Sequence, residues 1–469
     1  MSRESKLAKN AIILSFGTIL PQLATIVTLP ILTGCLTKDE MGVYDLVTVL
    51  VSLILPAATI QIQTAAFRFL IDSRDSKEKT ASIITNIVAF TIPTSFVALV
   101  ILFFFLPTGD SLYSLWICLY FLADLLCNTC RQICRGVGNN TAFSISAIIV
   151  SLVKMLCLVV LVYFFRWGLK GALISLFVAS FLSLCFLLFK TRIYTYIVPG
   201  TVSPSAIKEL LRYTWPMVPN GMSAWIMRLS DRLVVTAFMG ISANAVYSVA
   251  NKIPNILQVV QHTFTLAWQE SASVASKDQD AEKYYSYMYR SMFDLTAGFV
   301  SLLIAATPIL FKILIRGDYD EAYYQMPVLF IGVFFLSMST FLGGIYVAYK
   351  KTKSVGITTT FAAGINLIVD LLAIRYIGLY AASGSTLIAY LVLFIYRIID
   401  CQKIVKIKMF WTHSLEVFVI IVIESMLCYM RRPMFDYINI VIGAVVFFNL
   451  NKILVDRVLK MAIRKIKER

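Results

Sequence analysis

Six polar residues, Asn251, Asn255, Gln258, His262, Thr265 and Gln269, recur at intervals of four and three within one apolar segment. On an α-helix that spacing places all six on one face. The preceding apolar segment carries Arg228 and Arg232 with Asp231 between them, and Lys252 lies next to Asn251 in the stripe's segment. So many amides and hydroxyls need partners, which a water-filled cavity supplies more readily than a dry helix contact. Guanidinium forks suit phosphate oxygens. The chemistry implied is therefore recognition of a phosphate-bearing group in a hydrated, electropositive space. The plainer alternative for single Ser, Thr and Asn residues is packing glue between helices. For the arginines it is neutralisation of one by Asp231, which still leaves an excess of cations.

Further candidates lie on other segments. Ser15, Thr18, Gln22 and Thr25 share one face of the first apolar stretch, and Thr48, Ser52 and Thr59 share a face of the second. Arg228, Arg232, Lys252, Asn251, Asn255, Gln258, Gln22 and Thr25 are thus the candidates for contacting a substrate. Four acids, Asp124, Asp294, Asp370 and Glu424, also fall in apolar segments. Asp124 is placed to pair with Lys154. Asp370, one turn from Asn366, is a candidate for a coupling proton or sodium ion, as are Asp231 and Asp124. No catalytic constellation is present: His262 and His413 lie in separate segments. Cys127, Cys130 and Cys134 cluster beside Arg131 and Arg135 but lack a fourth ligand, so they are read as buried apolar residues and no metal site is expected.

The elements that must position these residues are membrane helices. The chain has 469 residues, 59% of them apolar and 14% charged, with a mean hydropathy of +0.80. A water-soluble fold needs a far more polar surface, so a cytosolic enzyme or a nucleic-acid binder is excluded. Apolar segments fall at about 10–33, 42–70, 82–106, 112–133, 142–165, 169–189, 213–238, 243–269, 287–312, 324–349, 355–375, 379–399, 412–430 and 435–455. Each is long enough to span, and none alternates as a strand would. Charge tests the count. With the N-terminus inside, thirty of the 42 Lys and Arg fall on the inner side and eight on the outer, leaving Lys154, Arg228, Arg232 and Lys252 within spans. A miscounted helix would invert that alternation. Both termini are therefore expected in the cytoplasm. Four cations at mid-membrane depth cost about 2.5–3.5 kcal/mol each on insertion scales, although Lys252 is placed to relieve part of its share by snorkelling. No cleavable leader is expected, because the apolar stretch after the basic residues 1–9 is too long. Ser203-Pro204 with Ile207, Leu210 and Leu211 predicts a capped amphipathic helix on the inner surface. The basic tail 456–469 is expected to rest on anionic lipid.

The spans repeat. Gly42-Val43-Tyr44 matches Ala245-Val246-Tyr247 at an offset of 203, and Phe165-Arg166-Trp167-Gly168-Leu169 matches Arg375-Tyr376-Ile377-Gly378-Leu379 at 210. The expected fold is an all-α integral membrane protein of about fourteen helices. Residues 1–200 form one six-helix lobe, and 201–405 a pseudo-symmetric second lobe preceded by the amphipathic linker helix. Residues 406–469 add two helices and the basic tail, and a central cavity lies between the lobes. Pro56 and Pro254, at nearly equivalent mid-helix positions, are expected to kink their spans.

Ala8-Lys9-Asn10, Leu36-Thr37 through Met41-Gly42-Val43-Tyr44, Ala65-Ala66-Phe67-Arg68-Phe69 and Ser230-Asp231-Arg232 resemble the bacterial polysaccharide flippases of O-antigen and capsule type. These belong to the multidrug/oligosaccharidyl-lipid/polysaccharide exporter superfamily, and the resemblance extends over essentially the whole chain. It implies two lobes around a cavity, alternating access and no enzymatic activity. The implied cargo is an undecaprenyl-diphosphate-linked oligosaccharide, moved from the inner to the outer leaflet of the bacterial cell membrane. The implied partners are this polyprenyl-diphosphate-linked cargo, membrane lipids and the polysaccharide polymerase machinery. No cofactor is implied beyond a proton or sodium gradient. Arg68, Asp231 and Arg232 match the pattern and take a cargo-contact role by resemblance. Relatives that flip lipid II carry charges in the first span, whereas Asn10–Gly34 has none. A multidrug cation antiporter of the same fold is the alternative, disfavoured by Arg228, Arg232 and Lys252. A membrane glycan polymerase or ligase would need a long external loop, and no outer segment exceeds about a dozen residues.

Overall fold

Fourteen apolar runs separated by short polar joints leave the backbone one way to satisfy itself in lipid, as helices. A computed structural model describes residues 20–104, 106, 110–276, 278–452 and 455–456, leaving aside the side chains of residues 220, 259, 260, 262, 263, 266, 267 and 352. Ser15, Thr18, the His262 side chain and nearly all of the basic tail lie outside the described set. Of the described chain, 88% is helical and no strand occurs. Helix α1 is described over Leu20–Cys35. It is followed by α2 (Lys38–Ala58), α3 (Ile62–Ser73), α4 (Lys77–Phe104), α5 (Ser111–Gly136), α6 (Asn140–Cys157) and α7 (Gly168–Thr191). Next come α8 (Pro204–Thr214), α9 (Met217–Met239), α10 (Ile241–Ala275), α11 (Ala281–Leu314) and α12 (Asp320–Ala348). The last four are α13 (Thr352–Ile377), α14 (Leu379–Cys401), α15 (Trp411–Tyr429) and α16 (Pro433–Leu450).

Among the described residues, eleven helices are long and apolar enough to cross a membrane, with α1 a shorter apolar helix. Two long helices fall outside the eleven: α9, which carries Arg228, Asp231 and Arg232, and α10, which carries the polar stripe. The segments that look least like ordinary spans are thus those holding the candidate site. Large apolar side chains such as Phe104, Phe189 and Tyr376 stand exposed on the outer faces, where a soluble protein would place charge.

Local chemistry sets the joints. Thr37 caps α2 by accepting from the Glu40 amide at 3.2 Å, and the Glu40 carboxylate accepts from the Thr37 amide at 2.9 Å. Glu40 also accepts from the Leu169 amide at 3.0 Å, tying the start of α2 to the start of α7. The second apolar run is not one kinked helix. It breaks between α2 and α3, where Ile60 and Gln61 adopt φ of 47° and 54°. A β-branched residue in that region is strained. Pro56 removes one backbone donor four residues earlier, while α10 runs unbroken through Pro254. Helix α8 forms as expected with Pro204 in its first turn, but Ser203 makes no side-chain cap. Its hydroxyl shares a 2.7 Å hydrogen bond with Ser205, and its amide donates to Asn86 at 2.8 Å.

The chain divides into two units, Met1–Val249 and Ala250–Arg469. The sequence repeat turns over near residue 200, whereas contacts turn over at 249, because α9 and the first turns of α10 belong to the same unit as α2. The core of the first unit gathers Ile62, Ala66 and Leu70 of α3, Ile84 and Ile87 of α4, and Leu187 of α7. Cys127, Cys130 and Cys134 of α5 are part of that same core, and Cys127 donates to the Ser183 hydroxyl at 3.4 Å. Their chemistry is that of small apolar side chains. In the second unit α12 packs on α14, α14 on α13, and α11 on α16. Trp268 of α10 stacks on Phe341 of α12 at 4.3 Å and donates to its carbonyl at 2.8 Å.

Candidate functional site

In the first unit α9 lies along α2. Trp225 donates its indole N–H to the Ser52 hydroxyl at 3.1 Å. Two turns further on, Arg232 places Nη1 2.8 Å and 2.9 Å from the two carboxylate oxygens of Asp45. Arg232 is 6% exposed and Asp45 0%. The Ser248 hydroxyl, from the first turns of α10, also donates to Asp45. Asp231 points the other way and accepts from the Tyr247 hydroxyl at 2.8 Å. One carboxylate from α2, one guanidinium from α9 and one hydroxyl from α10 thus join three helices at a buried point. Such a pair adds little net energy, because desolvation offsets attraction, but removing one partner costs about 3–5 kcal/mol.

Two contacts of these helices join residues separated by the sequence-repeat offset. Ser242 donates to Asp39, and Ser248 to Asp45, each pair exactly one repeat offset apart at 203 residues. Equivalent positions meeting each other is what a two-fold relation produces. The backbones approach closely there: a Cβ on Gly42 would lie 2.2 Å from the Ile241 carbonyl oxygen. The Asn244 amide donates to the Gly42 carbonyl at 3.4 Å. The charge pair itself breaks the symmetry, since Asp45 answers to Ser248 and Arg232 to Leu29 under the same offset.

Arg228, one turn before Arg232, is exposed, and its Nε donates to the Ala224 carbonyl of its own helix at 3.1 Å. The two arginines of one stripe therefore differ in kind: Arg232 is engaged by Asp45, while Arg228 is exposed. Asp45 was not among the residues expected to matter. It sits in the second turn of its helix, where an acid reads as a surface residue, and only the 203 offset to Ser248 hints otherwise.

The remaining candidates are placed as follows. Asn251, Lys252, Asn255 and Gln258 are half-buried along α10. Gln261, one position off the stripe, accepts from the Ser337 hydroxyl of α12. Gln22 and Thr25 are half-buried on α1, and Thr25 returns its hydroxyl to the Pro21 carbonyl at 3.0 Å. Arg68 is exposed on α3 and paired with Asp72 of its own helix at 2.6 Å. Asp124 of α5 accepts from Ser180 at 3.3 Å and from Asn128 at 3.0 Å, while Lys154 is half-buried in the last turn of α6. Asp370 and Asn366 are both fully buried on α13, and the Asn366 amide donates to the Ser385 hydroxyl of α14 at 3.4 Å. Among the described residues no group of three His, Cys, Asp or Glu side chains is arranged to hold a metal.

Comparison with known proteins follows these features. The profile of the family described as polysaccharide biosynthesis protein matches residues 7–268, more than half of the chain. No curated protein matches. Among solved structures, the lipid II flippase MurJ in an inward closed conformation aligns with a TM-score of 0.72 at 13% identity, covering 96% of this chain and all of that one. An inward-facing multidrug resistance MATE family transporter of the MOP superfamily aligns with a TM-score of 0.68 at 16% identity, over 83% of this chain and 96% of that one. A MOP superfamily transporter from Pyrococcus furiosus aligns at 0.57 and 14% identity, over 84% and 94%. At these identities the structural matches speak for the fold. The chain is a multi-pass membrane protein that belongs to the polysaccharide biosynthesis protein family and has the all-helical fold of MOP superfamily transporters.

Proposed function

We propose that the protein is a flippase that moves an undecaprenyl-diphosphate-linked oligosaccharide from the inner to the outer leaflet, by ion-coupled alternating access, for surface polysaccharide synthesis. The observation that carries this reading is the combination, in one chain, of a polysaccharide biosynthesis family match with a transporter fold along nearly its full length. The exposed Arg228 guanidinium gives the diphosphate a planar, permanently charged partner. Arg232, held by Asp45, positions α9 and so aims Arg228. Half-buried Asn251, Asn255 and Gln258 supply hydrogen bonds to sugar hydroxyls along α10. The polyprenyl tail stays in lipid. Asp370 with Asn366 and Ser385 is the coupling site in this reading, taking a proton or sodium ion from the gradient. The termini face the cytoplasm, on the side favoured by thirty Lys and Arg against eight. The polymerase that extends the flipped oligosaccharide is the expected neighbour at the outer leaflet.

The test is leaflet assignment of the lipid-linked oligosaccharide. A strain lacking the protein should accumulate the lipid-linked repeat unit inside, and the full-length protein should restore its access to an external glycan-degrading enzyme. Export of cationic dyes without any change in leaflet distribution would instead establish a multidrug antiporter.

A further inference from the structure

Glu424 of α15 is fully buried, and among the described residues no ammonium or guanidinium pairs with it. One carboxyl oxygen, Oε1, accepts from the Ser301 hydroxyl of α11 at 2.8 Å. The other, Oε2, has no hydrogen-bond partner among the described residues. Asn439 of α16, also fully buried, donates its amide to the Glu424 main-chain carbonyl at 3.0 Å, and its own Oδ1 likewise has no donor. Gly443 closes the site from above: a Cβ there would stand 2.6 Å from the Ala305 Cβ and 3.2 Å from Glu424 Oε1. The three helices therefore meet around a carboxyl that has one donor among the described residues, while α16 contributes a second buried acceptor, Asn439 Oδ1, with none.

An anion in that position lacks the donors it needs, and burying it costs several kcal/mol in effective terms. A single proton on Oε2 neutralises the charge and removes the need for the donors that an anion would require there. We propose that Glu424 is a reversible proton-binding site, neutral while α15 and α16 are docked on α11, and that its ionisation loosens this terminal helix pair. The step is simple acid–base exchange: hydronium delivers a proton to the carboxylate and leaves as water. Glu424 and Asn439 lie on α15 and α16, and the site is distinct from the Asp370 position proposed for coupling.

Other titratable groups on the packed elements must be separated from it. On α11, Asp294 is two turns before Ser301 and is bound to His413 of α15 at 2.6 Å, with Arg290 at 3.8 Å and Lys312 further along. Glu416 lies two turns before Glu424 on α15, and Cys428 one turn after it donates to the Tyr323 hydroxyl of α12 at 3.2 Å. At the start of α16, Asp436 is one turn from Asn439, and its Oδ1 is also without a partner among the described residues. Beside it Arg432 opens the helix and Arg431 pairs with Asp320 of α12 at 2.9 Å. Lys452 follows the far end of α16. Asp436 is the group that most needs a control.

The experiment uses the purified full-length protein in lipid nanodiscs, without cargo, so its failure is separate from failure of the flippase reading. Infrared difference spectra across a pH titration should show a protonated-carboxyl band at neutral pH that disappears as pH rises. Glu424→Gln should remove that band, and Asp436→Asn should keep it. Hydrogen exchange should show α15 and α16 losing protection in the wild type as the band disappears, while Glu424→Gln, a neutral isostere, stays protected throughout. A band unchanged in Glu424→Gln overturns the proposal. So does loss of protection at the same pH in wild type and Glu424→Gln, or restoration of protection by sodium at fixed pH, which would mean a metal ion rather than a proton.

Discussion

Replacing Asp45 with alanine leaves the Arg232 guanidinium, 6% exposed, without the carboxylate that both of its Nη1 contacts reach. Breaking a buried pair in this way costs about 3–5 kcal/mol, the larger part of it the stranded charge rather than the lost attraction. At about 1.4 kcal/mol per factor of ten, the folded-to-unfolded ratio should fall by two to three and a half orders of magnitude. Arg232→Ala should cost as much, because Asp45 is then buried without its guanidinium partner. The double variant Asp45→Ala/Arg232→Met should recover much of the loss, since neither charge remains. Unfolding can be followed through the reactivity of Cys127, Cys130 and Cys134, which are buried in the native core and become available to a thiol reagent when it opens. If the two single losses simply add in the double variant, to within about 0.5 kcal/mol, Asp45 and Arg232 are not coupled and the three-helix joint does not hold α9.

Arg228→Ala separates recognition from structure: it should leave stability within about 0.5 kcal/mol while abolishing leaflet transfer, and Arg228→Lys should restore transfer only in part because lysine lacks the planar fork. Asp370→Asn should remove dependence of reconstituted transport on an imposed proton or sodium gradient; a variant that still responds to both would exclude this acid from coupling. Gly42→Ala forces a Cβ against the Ile241 backbone, 2.2 Å from its carbonyl oxygen, and should destabilise by about 1–3 kcal/mol. Gly221→Ala meets only the mobile end of the Gln61 side chain at 2.3 Å and should be milder, an ordering that thermal unfolding of the two variants checks.

The apolar spans were legible in the sequence because they depend on local quantities. An apolar run long enough to cross lipid has to become a helix, and the 203-residue offset read from Gly42-Val43-Tyr44 returned as contacts between Asp39 and Ser242 and between Asp45 and Ser248. The polar face of α10 followed from spacing alone. Periodicity says which residues share a face, but it does not say which face of another helix will meet it. The partner of Arg232 therefore stayed hidden: Asp45 lies 187 residues away and was chosen by the crossing of α2 with α9. The same limit explains why two arginines of one stripe became a buried joint and an exposed cation. It explains, too, why Glu424 drew notice only as an acid in a span. Its isolation depends on Ser301, Asn439 and Gly443 arriving from two other helices, and tertiary packing alone decides how many donors a buried oxygen finds.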